Sequence, residues 1–202
     1  YKIVHEDSPD RRGVDVALIY DPTMYTVFNH KSYRLAMVDT SFRTRNQLLV
    51  SGVLDGDTTH VIVCHWPSRR GGEKRSEPNR KAAAELARHI IDSLFTLNKD
   101  ARIMVMGDLN DDPVNVSVAR FLNATGDRTK AVGDVFFNAM YDPYQKGIGT
   151  LAARFLESVR PDHSFSSPHQ WYERCLQVLW GPDLQRRLPA PARRQFRRLS
   201  VP

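Results

Sequence analysis

Two short stretches carry residue types that could act on a phosphate. His65-Trp66-Pro67-Ser68-Arg69 follows the apolar run Val61-Ile62-Val63-Cys64, and Asp108-Leu109-Asn110 follows Ile103-Met104-Val105-Met106. A residue at a strand end is held by rigid backbone yet exposed at the sheet edge. A carboxylate and an amide oxygen two residues apart can orient an attacking water, and oxygen donors suit a hard cation such as Mg²⁺. A histidine nearby can contact or protonate a phosphoryl oxygen. The second loop carries two readings at once, with Asp108 and Asn110 functional. Asp111 or Asp112 is a good N-cap for a helix from Val114, with Pro113 at its first position. Arg69-Arg70 with Lys74-Arg75 is equally a phosphate-facing loop or a solvated one.

The elements that must position these loops follow from apolar spacing. Residues 13–20 read as a strand entered through the polar turn 7–13 and ended by Asp21-Pro22. Residues 33–38 and 47–54 are β-rich, and Asp55-Gly56-Asp57 turns the second of these into the run 59–64, a hairpin. After Pro78, residues 79–97 place Ala83, Leu86, Ala87, Ile90, Ile91 and Leu94 at three- and four-residue spacings, which predicts a helix. Residues 102–106 read as a buried strand and 114–122 as a short helix. Strand, helix, strand, helix predicts layered α/β. Beyond Gly149 prolines and arginine pairs replace apolar periodicity, and the one candidate boundary lies near residue 150.

The 202 residues, 41% hydrophobic and 26% charged, fit one ordinary globular domain or a large part of one. Their apolar runs are strand-sized, which excludes a spanning helix of about eighteen or more apolar residues. Cys64 and Cys175 form neither a disulfide framework nor a metal-ligand spacing, and read as inert thiols. The formal charge is +6, but residues 153–202 hold nine Arg against four acids, which leaves only +1 on residues 1–152. Nothing in that body demands a long polyanion. His5, His30, His60 and His89 lack partners at ligand spacing and read as surface or partly buried side chains. The first residue is Tyr1, so any targeting signal would lie outside the chain and the compartment is not legible.

Taken together, the His65 loop, the amphipathic helix containing Arg80 and the strand ending Gly107-Asp108-Leu109-Asn110 resemble the endonuclease/exonuclease/phosphatase family, the deoxyribonuclease-like metal-dependent phosphodiesterases. The resemblance covers residues 13–122, and the wording His-Trp-Pro-Ser-Arg-x-Gly-Gly is similar to bacterial members. It implies a four-layer α/β sandwich, two packed mixed sheets flanked by helices, incomplete in this chain. Residues 1–152 would be a partial domain and 153–202 a divergent, basic, Pro/Arg-rich tail with little order. It implies that His65 contacts or protonates the scissile phosphate. Asp108 would be the base or water-orienting carboxylate, and Asn110 would position phosphate or metal. Asp108 and Asn110 would hold Mg²⁺, or Mn²⁺ in its place. Arg45, Ser68 and Arg69 would contact substrate phosphate, and the partner would be a phosphodiester such as DNA or RNA.

The family pattern also includes an N-terminal strand ending in Asn, a strand bearing a metal-binding Glu, and a C-terminal Asp-His pair. The resemblance places the Asn and Glu elements before Tyr1, and Asp162-His163 lacks the apolar strand expected around that pair. Relatives sharing residues 146–152 continue with a strand of the type Tyr-Arg-Asp-Ser-Trp-Asn-Leu-Phe-Asp-Gln-Ile-Ile. Suitable codons for residues 154–164, read one nucleotide out of phase, spell most of that strand, so a frameshifted tail is expected. The nucleotide sequence of this stretch tests it. Impaired or absent catalysis would follow, because lost metal ligands remove charge stabilisation at the phosphoryl transition state. Two alternatives stand beside the phosphodiesterase: an esterase for small phosphate esters or lipid head groups, and a non-catalytic nucleic-acid-binding remnant.

Overall fold

The computed structural model describes residues 1–37, 41–147 and the backbone of a strand at 176–180. β1 (Lys2–His5) and β2 (Ala17–Tyr20) form a two-stranded antiparallel sheet. A seven-stranded mixed sheet holds β3 (Tyr25–Tyr33), β4 (Gln47–Leu54), β5 (Asp57–His65), β6 (Arg102–Asp108), β7 (Ala124–Thr125), β8 (Phe136–Asn138) and β9 (Leu176–Trp180), in the order β3-β4-β5-β6-β9-β8-β7. Helix α1 (Glu73–Leu97) joins β5 to β6. A π-helical turn Ser117–Phe121 and a short helix α2 (Tyr141–Gln145) complete the described elements.

Strand alternation assigns the core to the two faces of the large sheet. Leu49, Ile62, Cys64, Ile103 and Val105 face the helix side, where Ala83, Ala84, Ala87, Ile90, Ile91 and Leu94 of α1 cover them. Leu48, Val50, Val61 and Val63 face the other way, onto Val4, Val16 and Leu18 around the small sheet. The described residues thus form a helix layer on a large mixed sheet on a small antiparallel sheet, an α/β fold as expected. Ile90 and Ile91 are fully buried, and each such side chain contributes about 1.5–3 kcal/mol on burial.

The 47–54 strand and its hairpin through Asp55-Gly56 stand where the sequence placed them. The strand expected over 33–38 is instead β3, whose Asn29, His30 and Lys31 are exposed. At the sheet edge one face and one backbone row meet water, so the apolar signal is weak. Helix α1 begins six residues before the predicted start and carries Pro78 within it. The hydrogen bond that Pro78 cannot donate belongs to Lys74, the exposed second residue of the helix, so the proline breaks only the first turn.

β9 pairs with β6 over Met104↔Trp180 to Asp108↔Leu176, inside the stretch read as tail. The rest of that tail lies outside the described residues, with Asp162, His163, Cys175 and the proposed frameshift stretch. Among the described residues no helix is long and apolar enough to cross a membrane.

Candidate active site

β5 and β6 run parallel in a register that sets Cys64 opposite Gly107 and His65 opposite Asp108. Two strands that run the same way end on the same edge, which brings together loops 43 residues apart in sequence. The Trp66 N–H donates to the Asp108 carbonyl at 2.8 Å, extending the ladder into the loops. Gly107 has φ 124°, and a Cβ there would lie 2.0 Å from the Cys64 carbonyl oxygen. Glycine alone permits that close approach.

At this edge His65 Nε2 lies 3.6 Å from Asp108 Oδ2, each side chain 32% exposed. The Asn110 N–H donates to Asp108 Oδ1 at 2.7 Å, which fixes the carboxylate. Asn110 sits at φ 52°, a left-handed conformation that asparagine tolerates better than most residues. Its Nδ2 donates to the Trp66 carbonyl at 2.8 Å, so its amide oxygen is the end left for a water or cation. The same carbonyl accepts from Arg45 Nη2 at 2.7 Å. The three residues expected to be catalytic are therefore brought together.

The expected phosphate contacts are placed differently. Arg45 is buried, and its Nη1 donates to Asp10 Oδ2 at 3.2 Å. Arg69 spans the two loops. Its Nε donates to the Asn110 carbonyl at 2.9 Å, and its Nη2 lies 3.1 Å from Asp112 Oδ2 and 3.3 Å from Asp111 Oδ1. Ser68 is exposed. Neither Asp111 nor Asp112 caps a helix: Asp112 accepts a turn bond from the Asn115 N–H at 3.0 Å, and the π-helical turn starts at Ser117. Asp111 instead pairs with buried Arg80, Oδ1 to Nε at 2.7 Å, and accepts from Ser117 Oγ at 2.5 Å. Arg80 and Asp111 thus tie α1 to the Asn110 loop. Asp10 and Arg12, read only as a polar turn, stand behind Arg45; the signal available was an acid and a base two residues apart.

A hard cation would find the Asp108 carboxylate and the Asn110 amide oxygen here. Mg²⁺ is commonly held by one or two carboxylates with waters and substrate phosphate completing the shell, and this donor set fits that pattern. His5, at the end of β1, and Asp7 and Asp15, between β1 and β2, hold ligand atoms within 4.8 Å of one another. Asp15 already accepts the Ser8 N–H at 2.6 Å.

Burial holds the His65 imidazole below its ordinary range, the Arg45 charge adds to this, and Asp108 opposes it. Burial lowers His60 as well. A depressed histidine contributes stability above its ordinary pKa near 6.5, lost as pH falls through the folded value, because the unfolded chain takes up the proton first. In chelator, unfolding free energy is therefore expected to fall from pH 7 toward pH 5. His65→Asn should flatten that slope, leaving the part due to His60. Urea melts across the series check it, and an unchanged slope would remove His65 from the account.

Cys64 is buried and its thiol is pushed up to about 12 by burial. It is inert at neutral pH.

The chain matches the model for the Endonuclease/Exonuclease/phosphatase family over residues 1–156. Among solved structures, truncated Caenorhabditis elegans TDP2 superposes with a TM-score of 0.56 at 16% identity, covering 90% of this chain and 61% of that one. The human Nocturnin catalytic domain with bound sulfate anion superposes with a TM-score of 0.54 at 16% identity, covering 89% of this chain and 60% of that one. The chain thus spans about three fifths of the length of these solved relatives. No curated protein matches it. The solved structures speak for the fold, and the family match over most of the chain decides membership: this chain belongs to the endonuclease/exonuclease/phosphatase family.

Proposed function

We propose that this chain carries the catalytic edge of a metal-dependent phosphodiesterase of nuclease-like type. The observation that carries the reading is the His65–Asp108 pair, 3.6 Å apart at the register-matched ends of two parallel strands and open to solvent. Asp108 accepts a proton from, or orients, the attacking water. His65 touches a phosphoryl oxygen, and Asn110 fixes Asp108 through its N–H while offering its amide oxygen to phosphate or cation. Mg²⁺ or Mn²⁺ bound by Asp108 and Asn110 would neutralise charge on the phosphoryl group. Arg69 and Arg45 hold the loops that carry these groups, and the exposed Ser68, three residues after His65, is the hydroxyl offered to substrate phosphate.

The test is hydrolysis of supercoiled plasmid DNA and of bis(p-nitrophenyl) phosphate by this chain with Mg²⁺, then with a chelator. Slow product formation in Mg²⁺ that disappears on chelation is expected, the rate impaired as the family pattern implies. A salt-sensitive preference for the plasmid would mark a nuclease, and equal use of both substrates a small-ester hydrolase. A folded sample that yields no product from either substrate overturns the catalytic reading, and DNA binding that survives chelation would then mark a binding remnant.

A further inference from the structure

The turn before β2 and Arg45 form a charge cluster whose exposed member, Arg12, has no part in the reaction proposed above. The Asp10 carboxylate, 3% exposed, lies between two guanidiniums. Arg12 grips it side-on, Nε to Oδ1 at 3.0 Å and Nη2 to Oδ2 at 2.8 Å, while its backbone N–H donates to Oδ1 at 2.9 Å. Arg45, 4% exposed, donates from the other side at 3.2 Å. These three groups carry a net charge of one positive unit. The two buried members offset each other, so the excess stands on Arg12, whose side chain is 60% exposed.

A guanidinium has five N–H donors in a rigid plane. The fork on Asp10 occupies two, which leaves three in a fixed orientation. Such a pre-oriented planar edge suits phosphate oxygens better than a free, rotating side chain does. The cluster is also wired to the catalytic edge. Arg45 Nη2 donates to the Trp66 carbonyl at 2.7 Å, and that carbonyl accepts Asn110 Nδ2 at 2.8 Å. An unbroken run of contacts therefore links Arg12 to the residue beside Asp108.

We propose that Arg12, presented by Asp10, is a phosphate-binding side chain for the substrate whose reacting phosphate meets His65 and Asp108. The inference rests on the phosphodiesterase reading, but its test does not need turnover. Binding of a fluorescein-labelled oligothymidylate is followed by anisotropy in chelator over a range of salt, with bis(p-nitrophenyl) phosphate as competitor. Arg12→Met is expected to weaken oligonucleotide binding by about tenfold and to reduce the salt slope by about one. Arg12→Lys should restore the slope but only part of the affinity, because it keeps the charge and loses the fork. Some fall in melting temperature is expected for Arg12→Met, because the buried Asp10 carboxylate keeps only Arg45 as its counter-charge, so the salt slope is the reading that separates binding from bracing. Weaker competition by the small diester would place Arg12 on the reacting phosphate; a loss confined to the oligonucleotide would place it on a flanking one. Equal affinity and slope for Arg12→Met and the unmodified protein overturn the proposal, even if hydrolysis proceeds. So does a fall in melting temperature with an unchanged slope, which would leave Arg12 as a brace for Asp10. Absence of oligonucleotide binding by the unmodified protein overturns it too. Hydrolysis failing while Arg12→Met still weakens binding would sink the phosphodiesterase reading alone.

Discussion

Asp108→Ala is expected to lower kcat/KM for phosphodiester hydrolysis by about 10³-fold, and Asp108→Asn by nearly as much. The expectation comes from charge. A positioned base contributes about 10²–10⁴-fold, and a carboxylate that also serves as the hard-cation ligand removes more when it goes. The two variants separate that charge from a structural role. Asp108 Oδ1 accepts the Asn110 N–H at 2.7 Å across a left-handed residue. Alanine loses this acceptor, at a cost of about 1 kcal/mol by analogy with a lost N-cap. Asparagine keeps an oxygen in nearly the same place. Stability should therefore drop in the alanine variant and hold in the asparagine variant, while activity drops in both. Steady-state kinetics beside thermal melts make the comparison. Activity retained by Asp108→Asn would show that a neutral oxygen suffices, and the base role would be lost.

The His65–Asp108 pair was legible in the sequence as two loop starts, though its closeness was not. His65 and Asp108 each follow a continuous apolar run, a pattern that marks a strand buried on both faces. What brings them to 3.6 Å is the parallel register of β5 and β6, a tertiary fact that the βαβ order implies only once α1 is known to cross one face. Arg45 and Arg69 were legible as cations near the site, but not as bridges. Their partners, Asp10 and Asp111, lie 35 and 42 residues away in sequence, beyond any local pattern. Asp111 and Asp112 ahead of Pro113 satisfied the local rules for a helix cap, yet tertiary pairing with Arg80 took the Asp111 carboxylate first. The short strands β7 and β8 escaped notice because two or three residues carry no period.

Asp111→Ala is expected to cost about 3–5 kcal/mol of unfolding free energy, because it would leave a guanidinium buried without its counter-charge. Arg80 is fully buried and Asp111 is 1% exposed, so water cannot replace the lost partner. Arg80 retains Ser76 Oγ at 2.7 Å and the Glu73 carbonyl at 3.2 Å, and those neutral acceptors only partly compensate. With a typical domain stable by about 5–15 kcal/mol, such a loss removes much of the margin. The double variant Arg80→Met with Asp111→Leu tests the cause. Replacing both charges by apolar groups of similar volume is often nearly neutral in stability, so it should recover most of what Asp111→Ala loses. Urea unfolding of the unmodified protein, the two single variants and the double variant gives the coupling. The recovered double variant should still hydrolyse poorly, since Ser117 Oγ and Arg69 also lose the carboxylate that anchors the loop beside Asn110. A cost below about 1 kcal/mol for Asp111→Ala would mean that Arg80 is neutralised elsewhere. Full activity in the double variant would mean that the Asn110 loop holds its geometry without help from α1.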